Sequence, residues 1–187
     1  RRNRGSYELW VLPACNFTGN LELTLGGARA NEAGHGRATD VIAQGKTLFR
    51  RMQTNGWGAG LVVGVDRHPD NPHSNTDPYA YVPTSFSFAD DRFVLHTNVG
   101  WISERVVDRH RFTWGVGSEL QLSSRAYLIP EVFGRNNGRP LFQFGIRFWV
   151  VPDHVQIDAT YGNRFGLDPE TRWFSIGVRL LSPTFLP

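Results

Sequence analysis

Apolar and polar residues alternate with a period of two along most of this sequence. Between positions 142 and 150, Phe, Phe, Ile, Phe and Val stand at the even positions, and Gln, Gly, Arg and Trp stand between them. Successive side chains of a β-strand point to opposite faces, so each such segment has one apolar and one polar face. No convincing helical pattern extends beyond two turns. The sequence therefore predicts an all-β chain.

The same alternation recurs often enough to predict eleven strands. They occupy positions 6–14, 20–28, 39–52, 56–66, 79–88, 92–103, 110–122, 125–134, 140–151, 154–162 and 171–181. Most are longer than the five or six residues that are usual in soluble sheets, and they match the roughly 9–11 residues that a tilted strand needs to cross a bilayer. The predicted fold is an antiparallel up-and-down transmembrane β-barrel, formed as a single domain by residues 1–187.

The connections between the predicted strands alternate in length. Short turns are predicted at 53–56, 89–92, 123–125 and 152–153, and longer links at 31–37, 66–78, 104–109, 135–139 and 162–170. Outer-membrane barrels have short periplasmic turns, longer outside loops and, in single chains, even strand numbers. Eleven predicted strands therefore indicate a barrel of about twelve, with an N-terminal strand overlooked or the extreme N-terminus missing. Ten strands is the alternative, if a predicted pair is one strand.

Composition excludes several other classes of protein. The 187 residues include a single cysteine, Cys15, so an internal disulfide is excluded. The net charge of +3 comes from arginines rather than lysines, and most of these arginines are scattered along the sequence, whereas a nucleic-acid-binding protein gathers them in one patch. No run of about 18 apolar residues is present, which excludes a membrane-spanning helix but not a barrel that crosses on alternating strands.

The side chains that alternate with the apolar ones, here called the polar phase of the strands, include acidic and basic residues. In a membrane barrel these residues would line the inside. The predicted lumen-lining residues are Glu119, Glu131, Arg147, Asp158, Arg179, His96 and Asn98. Because both signs of charge are mixed, we expect ion pairs or water-bridged contacts between neighbouring strands, which offset part of the desolvation cost. A selective pore would more often gather one sign of charge at a constriction.

The apolar phase of the strands would face lipid. The predicted lipid-facing residues are Phe112, Trp114, Val116, Phe142, Phe144, Ile146, Phe174, Ile176 and Val178. Aromatic residues near strand ends are typical of the girdles at headgroup level. The residues in such positions are Trp57, Trp101, Trp149, Trp173, Tyr7, Tyr79, Tyr81 and Tyr161, of which Trp149 and Trp173 fall on the polar phase.

The sequence contains no clear catalytic motif. His96 and Asn98 share the polar face of one strand, and Ser118 or Ser87 could lie nearby, but no Gly-x-Ser-x-Gly elbow is present. A nucleophile and its base must lie within hydrogen-bond reach of each other, and no spacing here predicts that. The chain is predicted not to be an enzyme, and His96 is interpreted as a polar lumen histidine.

The longest link contains several potential metal ligands. His68 and His73 lie among Asp66, Asp70 and Asp77. Their spacing matches no defined calcium or zinc motif. The link is therefore interpreted as a solvated outside loop, and neither a metal nor a cofactor is predicted.

Four segments resemble a known family. These are His-Thr-Asn-Val-Gly-Trp at 96–101, Gly-Val-Gly-Ser-Glu-Leu at 115–120, Pro-Glu-Val-Phe-Gly at 130–134 and Trp-Phe-Ser-Ile-Gly-Val-Arg-Leu-Leu at 173–181. They resemble the bacterial outer-membrane barrels of the "MetA-pathway of phenol degradation" family over roughly residues 90–182. The last segment looks like the strand read by the barrel-insertion machinery, although a Ser-Pro-Thr-Phe-Leu-Pro tail stands where the family ends in an aromatic residue. The resemblance implies transport of aromatic compounds.

Two functions follow as expectations for a protein of the bacterial outer membrane. The first is a small channel or transporter for small solutes, including hydrophobic or aromatic ones. The second is a closed structural or interaction barrel with a salt-bridged lumen, whose outside loops bind a protein partner. A soluble ligand carrier of the calycin type is a third interpretation. Membrane lipid is the expected partner, and nucleic acid is not.

Overall fold

The computed structural model describes residues 2–3, 6–16, 19–32, 36–70, 76–167 and 169–182. Within these residues the chain forms β-strands and one 3-10 turn, Arg105–Val107. The strands are β1 (Arg2–Asn3), β2 (Ser6–Val11), β3 (Ala14–Asn16), β4 (Leu21–Glu32), β5 (Gly36–Arg50), β6 (Trp57–Arg67), β7 (Thr76–Phe88), β8 (Phe93–Glu104), β9 (Arg109–Gln121), β10 (Ala126–Arg135), β11 (Leu141–Val151), β12 (Val155–Arg164) and β13 (Trp173–Leu180). In the described residues we find no helix that combines the length and the apolar character needed to cross a membrane.

The strands form one antiparallel up-and-down sheet. From β4 to β13 each strand pairs with its neighbours in sequence. The pairing then continues from β13 to β1 through Arg2 and Phe174, from β1 to β2, and from β2 to β4. The backbone pairings of the described strands therefore return to their starting point and form a closed ring.

All eleven predicted strands are present, and the first of them is interrupted. β2 and β3 pair with successive parts of β4, separated by Leu12 and Pro13, so they are two parts of one strand. Proline cannot donate a ladder hydrogen bond, which explains the break. The carbonyl of Pro13 accepts from the amide of Leu25, and a Cβ on Gly26 would collide with the backbone of Val11.

The ring therefore has twelve strand positions, as the parity argument predicts. The twelfth is the short strand β1, which lies between β13 and β2. The sequence does not reveal it because two residues are too few to show alternation.

The difference between short turns and long links is smaller than expected. β4 and β5 remain paired as far as Glu32 and Gly36, so the expected link at 31–37 shrinks to 33–35. β8 and β9 likewise leave only positions 105–108 between them. The backbone ladder continues beyond the alternating residues because its hydrogen bonds do not depend on side-chain polarity. Length parity is therefore weaker evidence for sidedness than the sequence indicated.

The polar side of the sheet is its concave side, here named the inner face. The rings of Phe133 on β10 and Trp173 on β13 have centroids 6.3 Å apart, although β11 and β12 lie between their strands. Neighbouring strands are about 4.8 Å apart, so these rings can meet only across the inside of the ring. The buried residues Val62, Trp173 and Gln156 also belong to this face.

The convex side, here named the outer face, is apolar and exposed. Ile176 is 66% exposed, Val178 64% and Phe144 55%, whereas Gly145 next to Phe144 is buried. This arrangement is the inverse of a water-soluble β-barrel, in which the apolar phase fills the core.

The aromatic residues near strand ends are divided between the two faces. Trp57, Trp101, Tyr7 and Tyr161 are exposed on the outer face, whereas Trp149, Trp173, Tyr79 and Tyr81 occupy inner-face register positions. Trp173 is 5% exposed, and Tyr79 donates to Gln44 at 2.9 Å. Only the first four could belong to an aromatic girdle, because the other four fall on the opposite phase of their strands.

Two neighbouring hairpin turns are joined by their side chains. Asn55, in the turn between β5 and β6, donates from its side chain to Asp90 at 2.6 Å and accepts from the backbone amide of Asp90 at 2.8 Å. Thr54 donates to Asp91 at 2.6 Å, and Ser87 also donates to Asp91. We name this network of Thr54, Asn55, Ser87, Asp90 and Asp91 the turn staple. Because Asp90 and Asp91 lie in the turn between β7 and β8, the turn staple joins the two hairpins at one end of β5 to β8.

Candidate functional site

Arg147 is the centre of the polar network on the inner face. The strand register places Asp158 of β12 directly opposite Arg147 of β11, and Nε of Arg147 donates to Asp158 at 2.9 Å. Its Nη1 donates to Glu119 of β9 at 2.5 Å, across the intervening β10. Gln156 completes the site by donating to both carboxylate oxygens of Asp158 at 3.1 Å. One guanidinium therefore connects three strands.

A second line of polar contacts runs beside Arg147. Gln143 donates to Glu131 at 2.5 Å, and these two residues are register partners on β11 and β10. His96 contacts Ser85 through Nδ1 at 2.8 Å, and its Nε2 lies 3.7 Å from Glu119. The chain of contacts thus extends from β7 to β12 around the inner face.

The network borders a polar cavity of about 200 Å³. It is lined by His96, Asn98, Glu119, Glu131, Gln143 and Arg147, together with neighbouring backbone. Five of the seven predicted lumen-lining residues therefore surround one cavity, and Asp158 joins them through Arg147.

Arg179 lies apart from this network. Its register partner is Gln156 on the inner face, but its side chain is exposed and forms no ion pair within the described residues. Of the two expected forms of contact, the direct ion pair is therefore not formed within the described residues, and the water-bridged contact stays a prediction. The physical reason is its position near the end of β13, next to the β11–β12 turn, where water rather than a carboxylate can solvate the guanidinium.

The contact of His96 with Ser85 was not predicted from the sequence. The two serines that the sequence places near His96 lie elsewhere: Ser87 donates to Asp91 in the turn staple, and Ser118 pairs with Leu95 on the outer face. Ser85 can be identified as the partner of His96 only from the register of β7 and β8, which places the two residues directly opposite each other. The carboxylate of Glu119 is beyond hydrogen-bond reach of His96 and already accepts from Arg147, so the three groups form no hydrogen-bonded catalytic triad.

A second polar cluster lies at the other end of the strands from the turn staple. Asp66 of β6 and Asp77 of β7 are direct register partners, and Asp40 comes from the neighbouring β5. Immediately after β6, His68 turns back between them, with Nδ1 at 2.6 Å from Asp40 and Nε2 at 3.4 Å from Asp77. Asp77 also accepts from the backbone amide of Arg105 at 2.8 Å.

The electrostatic surroundings of His68 favour its charged form. Burial of the ring lowers the pKa of His68, but hydrogen bonding to Asp40 and the negative charge of Asp66 outweigh this effect, and the net shift of the pKa is upward. His73 lies outside the described residues, and Asp70 is exposed. The part of this link that the structure describes is therefore partly buried and connected, in contrast to the solvated loop that was expected.

The outer face carries the predicted lipid-facing residues. Seven of them are between 44% and 66% exposed, namely Phe112, Val116, Phe144, Ile146, Phe174, Ile176 and Val178. Trp114 and Phe142 lie on the same phase and are half-buried. An apolar groove of about 800 Å³ crosses this face over β3 to β6, lined by residues such as Leu23, Leu25 and Val63 and by the exposed thiol of Cys15.

Comparison with known proteins gives one family match. No curated protein and no solved structure matches the chain. Nothing in the comparisons links it to the "MetA-pathway of phenol degradation" family, so that resemblance stays a prediction. The match extends over residues 1–181, and the chain therefore belongs to the family described as Uncharacterised conserved protein UCP029691.

Proposed function

We propose that the chain is a bacterial outer-membrane β-barrel with a closed, ion-paired interior, and that it serves as a structural or partner-binding barrel rather than as an open pore. The observation that carries this proposal is the inversion of the two faces. Large apolar side chains are exposed around the outside, while Arg147, Glu119 and Asp158 pair on the inside. Soluble monomers rarely expose contiguous apolar patches larger than a few hundred Å², and lipid would cover the outer face.

The closed interior is supported by how its charges are used. Arg147 spans from β12 to β9, and the cavity beside it holds about 200 Å³. An ion-conducting pore needs a continuous water-filled path with sites that bind weakly enough to release the ion. A guanidinium held by two carboxylates obstructs such a path.

Passage of small solutes is the second candidate function. It is favoured by the polar cavity itself, whose lining offers the carboxylates of Glu119 and Glu131, the imidazole of His96 and the amide of Asn98. The two functions differ in whether the cavity communicates with both ends of the ring.

Single-channel recording in planar bilayers tests the closed interior. We expect silence from the wild-type protein and conductance from the double variant Glu119→Ala/Arg147→Ala, because truncating both side chains joins their space to the existing cavity. Steady open steps from the wild-type protein would favour the solute pathway instead. Recovery of the full chain in buffer without detergent would contradict both membrane functions.

Ile146→Arg tests the membrane location of the outer face. Ile146 lies in the middle of β11 and is 56% exposed. In lipid, an arginine near the bilayer midplane costs roughly 2–4 kcal/mol, whereas a typical surface substitution in water changes stability by about 0.5 kcal/mol or less. Denaturant unfolding in phospholipid vesicles gives the difference, with Ile146→Leu as the matched control. If Ile146→Arg lowered the free energy of unfolding by less than about 1 kcal/mol, the outer face would be in contact with water rather than lipid.

A further inference from the structure

We propose that Asp40, Asp66 and His68 bind a divalent transition-metal ion such as Zn²⁺, with Asp77 orienting the imidazole. One ligand atom from each of Asp40, Asp66 and His68 lies within 4.8 Å of the other two. Ligand atoms that are each about 2.0–2.2 Å from a tetrahedral zinc ion lie roughly 3.3–3.6 Å from one another. The most widely separated of the three atoms would therefore have to approach by up to about 1.5 Å to share one ion, which requires a rotation of the side chains.

Asp66 supplies an independent reason to expect a ligand. Its Oδ1 is buried and has no hydrogen-bond partner among the described residues. A buried carboxylate oxygen without a partner is costly. A cation bound between Asp66 and its neighbours would satisfy this oxygen directly.

The charge of the cluster also calls for a cation. Asp40, Asp66 and Asp77 converge on one imidazole, and Asp66 and Asp77 stand directly opposite each other on paired strands. Like charges in that arrangement are destabilising. Within the described part of the chain, His68 is the one cationic partner of these carboxylates. A divalent ion with a neutral imidazole as its ligand offsets two of the three negative charges.

The two ring nitrogens of His68 suit a metal ligand. If Nδ1 binds an ion shared with Asp40 and Asp66, then Nε2–H faces Asp77 and can donate to it. A metal-bound histidine usually donates its second N–H to a carboxylate, which fixes the tautomer and the ring orientation. Asp77 is itself held in place by the amide of Arg105 at 2.8 Å.

The ligand set defines the class of ion. Imidazole suits zinc, copper, iron and nickel, and carboxylates add affinity for harder ions such as manganese. One imidazole with two carboxylates therefore favours a first-row divalent ion over Ca²⁺, which prefers an all-oxygen shell. By the usual order of stability, Zn²⁺ should bind more tightly than Mn²⁺.

Calorimetric titration with Zn²⁺ tests the site on the full chain in detergent, after treatment with a chelator and buffer exchange. We expect the wild-type protein to have one saturable site. Its affinity for Zn²⁺ should fall at least tenfold in Asp66→Asn and in His68→Gln. The matched controls are Asp70→Asn, an exposed aspartate in the same link, and His154→Gln, an exposed histidine in a distant turn. These controls should leave the affinity unchanged. Equal weakening by the controls, or the absence of a saturable site in the wild-type protein, would overturn the proposal.

Co²⁺ substitution keeps the test decisive if a variant fails to fold. In the wild-type protein, bound Co²⁺ should give a visible d–d absorption band that one equivalent of Zn²⁺ abolishes. A spectrum identical to that of Co²⁺ in buffer would contradict the site without any variant.

Discussion

At the scale of single residues, Asp91 shows how an exposed carboxylate can make stability depend on pH. Hydrogen bonds from Ser87 and Thr54 lower the pKa of Asp91. A carboxylate whose pKa is lower in the folded state stabilises the fold above its unfolded pKa of about 3.9, and this contribution is lost as the pH falls through the folded value. Its effect therefore lies on the acid side, below about pH 5.

Asp91→Asn should make the free energy of unfolding less sensitive to acid. Urea unfolding of the wild-type protein and of the variant, compared at neutral and acid pH, measures the difference. Thr54→Val and Ser87→Ala remove the donors and should reduce the same pH dependence. An identical pH dependence in Asp91→Asn and wild type would refute the assignment.

Ala89 is a residue whose backbone conformation is unfavourable. Ala89, Asp90 and Asp91 all have positive φ, with a φ of 54° at Ala89. The left-handed region costs a non-glycine residue about 1–2 kcal/mol, and aspartate offsets part of this through its short polar side chain, which alanine lacks.

Ala89→Gly should therefore raise the free energy of unfolding. The gain is about 0.5–1 kcal/mol once the greater freedom of glycine in the unfolded chain is subtracted. Chemical unfolding in detergent checks this value. Ala80→Gly, in the extended strand β7, is the matched control and should lose about 0.5–1 kcal/mol. Destabilisation by Ala89→Gly would rule out the left-handed turn.

At the scale of elements, Arg147 connects strands that backbone hydrogen bonds do not connect. Backbone hydrogen bonds join β11 to its neighbours β10 and β12. The guanidinium of Arg147 adds a contact from β11 to Glu119 of β9. Removing one partner of a fully buried ion pair costs about 3–5 kcal/mol. The Arg147 side chain is 20% exposed and Glu119 31%, so water can partly compensate.

Arg147→Met should lower the free energy of unfolding by about 2 kcal/mol, because it leaves the carboxylates of Glu119 and Asp158 on the inner face without their guanidinium partner. The triple variant Arg147→Met/Glu119→Gln/Asp158→Asn should lose less free energy of unfolding than Arg147→Met alone. The reason is that it also removes the negative charges of Glu119 and Asp158, which Arg147→Met leaves without the guanidinium. Arg179→Met is the control and should change stability by about 0.5 kcal/mol or less, because its side chain is exposed. If Arg147→Met changed the free energy of unfolding no more than Arg179→Met does, the network around Arg147 would contribute nothing to stability.

The sequence predicts strands far better than contacts between them. Alternation places Phe144 and Arg147 on opposite faces of β11, and the structure agrees. The pairing of Ser85 with His96, and of Asp66 with Asp77, depends on the register of β6 to β8, which is set by hairpin geometry rather than by side-chain period. Asp66, His68 and Asp77 stand out in the sequence as potential metal ligands, but Asp40 does not, because it is distant in sequence and reaches His68 only through the pairing of β5 with β6.

At the scale of the whole molecule, the ring closes where β1 joins β13. Arg2 and Phe174 are the Cα partners at this seam. Cysteines at positions 2 and 174, in a Cys15→Ser background, should form a disulfide under mild oxidation, which would appear as a shift in gel mobility. The pair Arg2→Cys with Val178→Cys is the matched control, because four strand residues displace the partner by about 13 Å, beyond the span of a disulfide. Equal cross-linking of the two pairs would argue against the closed ring.

The same strand order determines the sequence of events in folding. Most neighbouring strands in the described ring are also neighbours along the chain, so successive hairpins can form with short loops and a small entropic cost for each step. The seam is different, since Arg2 and Phe174 are far apart in the sequence and their encounter closes a much longer loop than any hairpin step. Loop-closure entropy rises by about 0.6 kcal/mol for each doubling of loop length, and contacts between distant residues form slowly. We therefore expect assembly to proceed as a growing open sheet, with joining of the two edges as the slow final event.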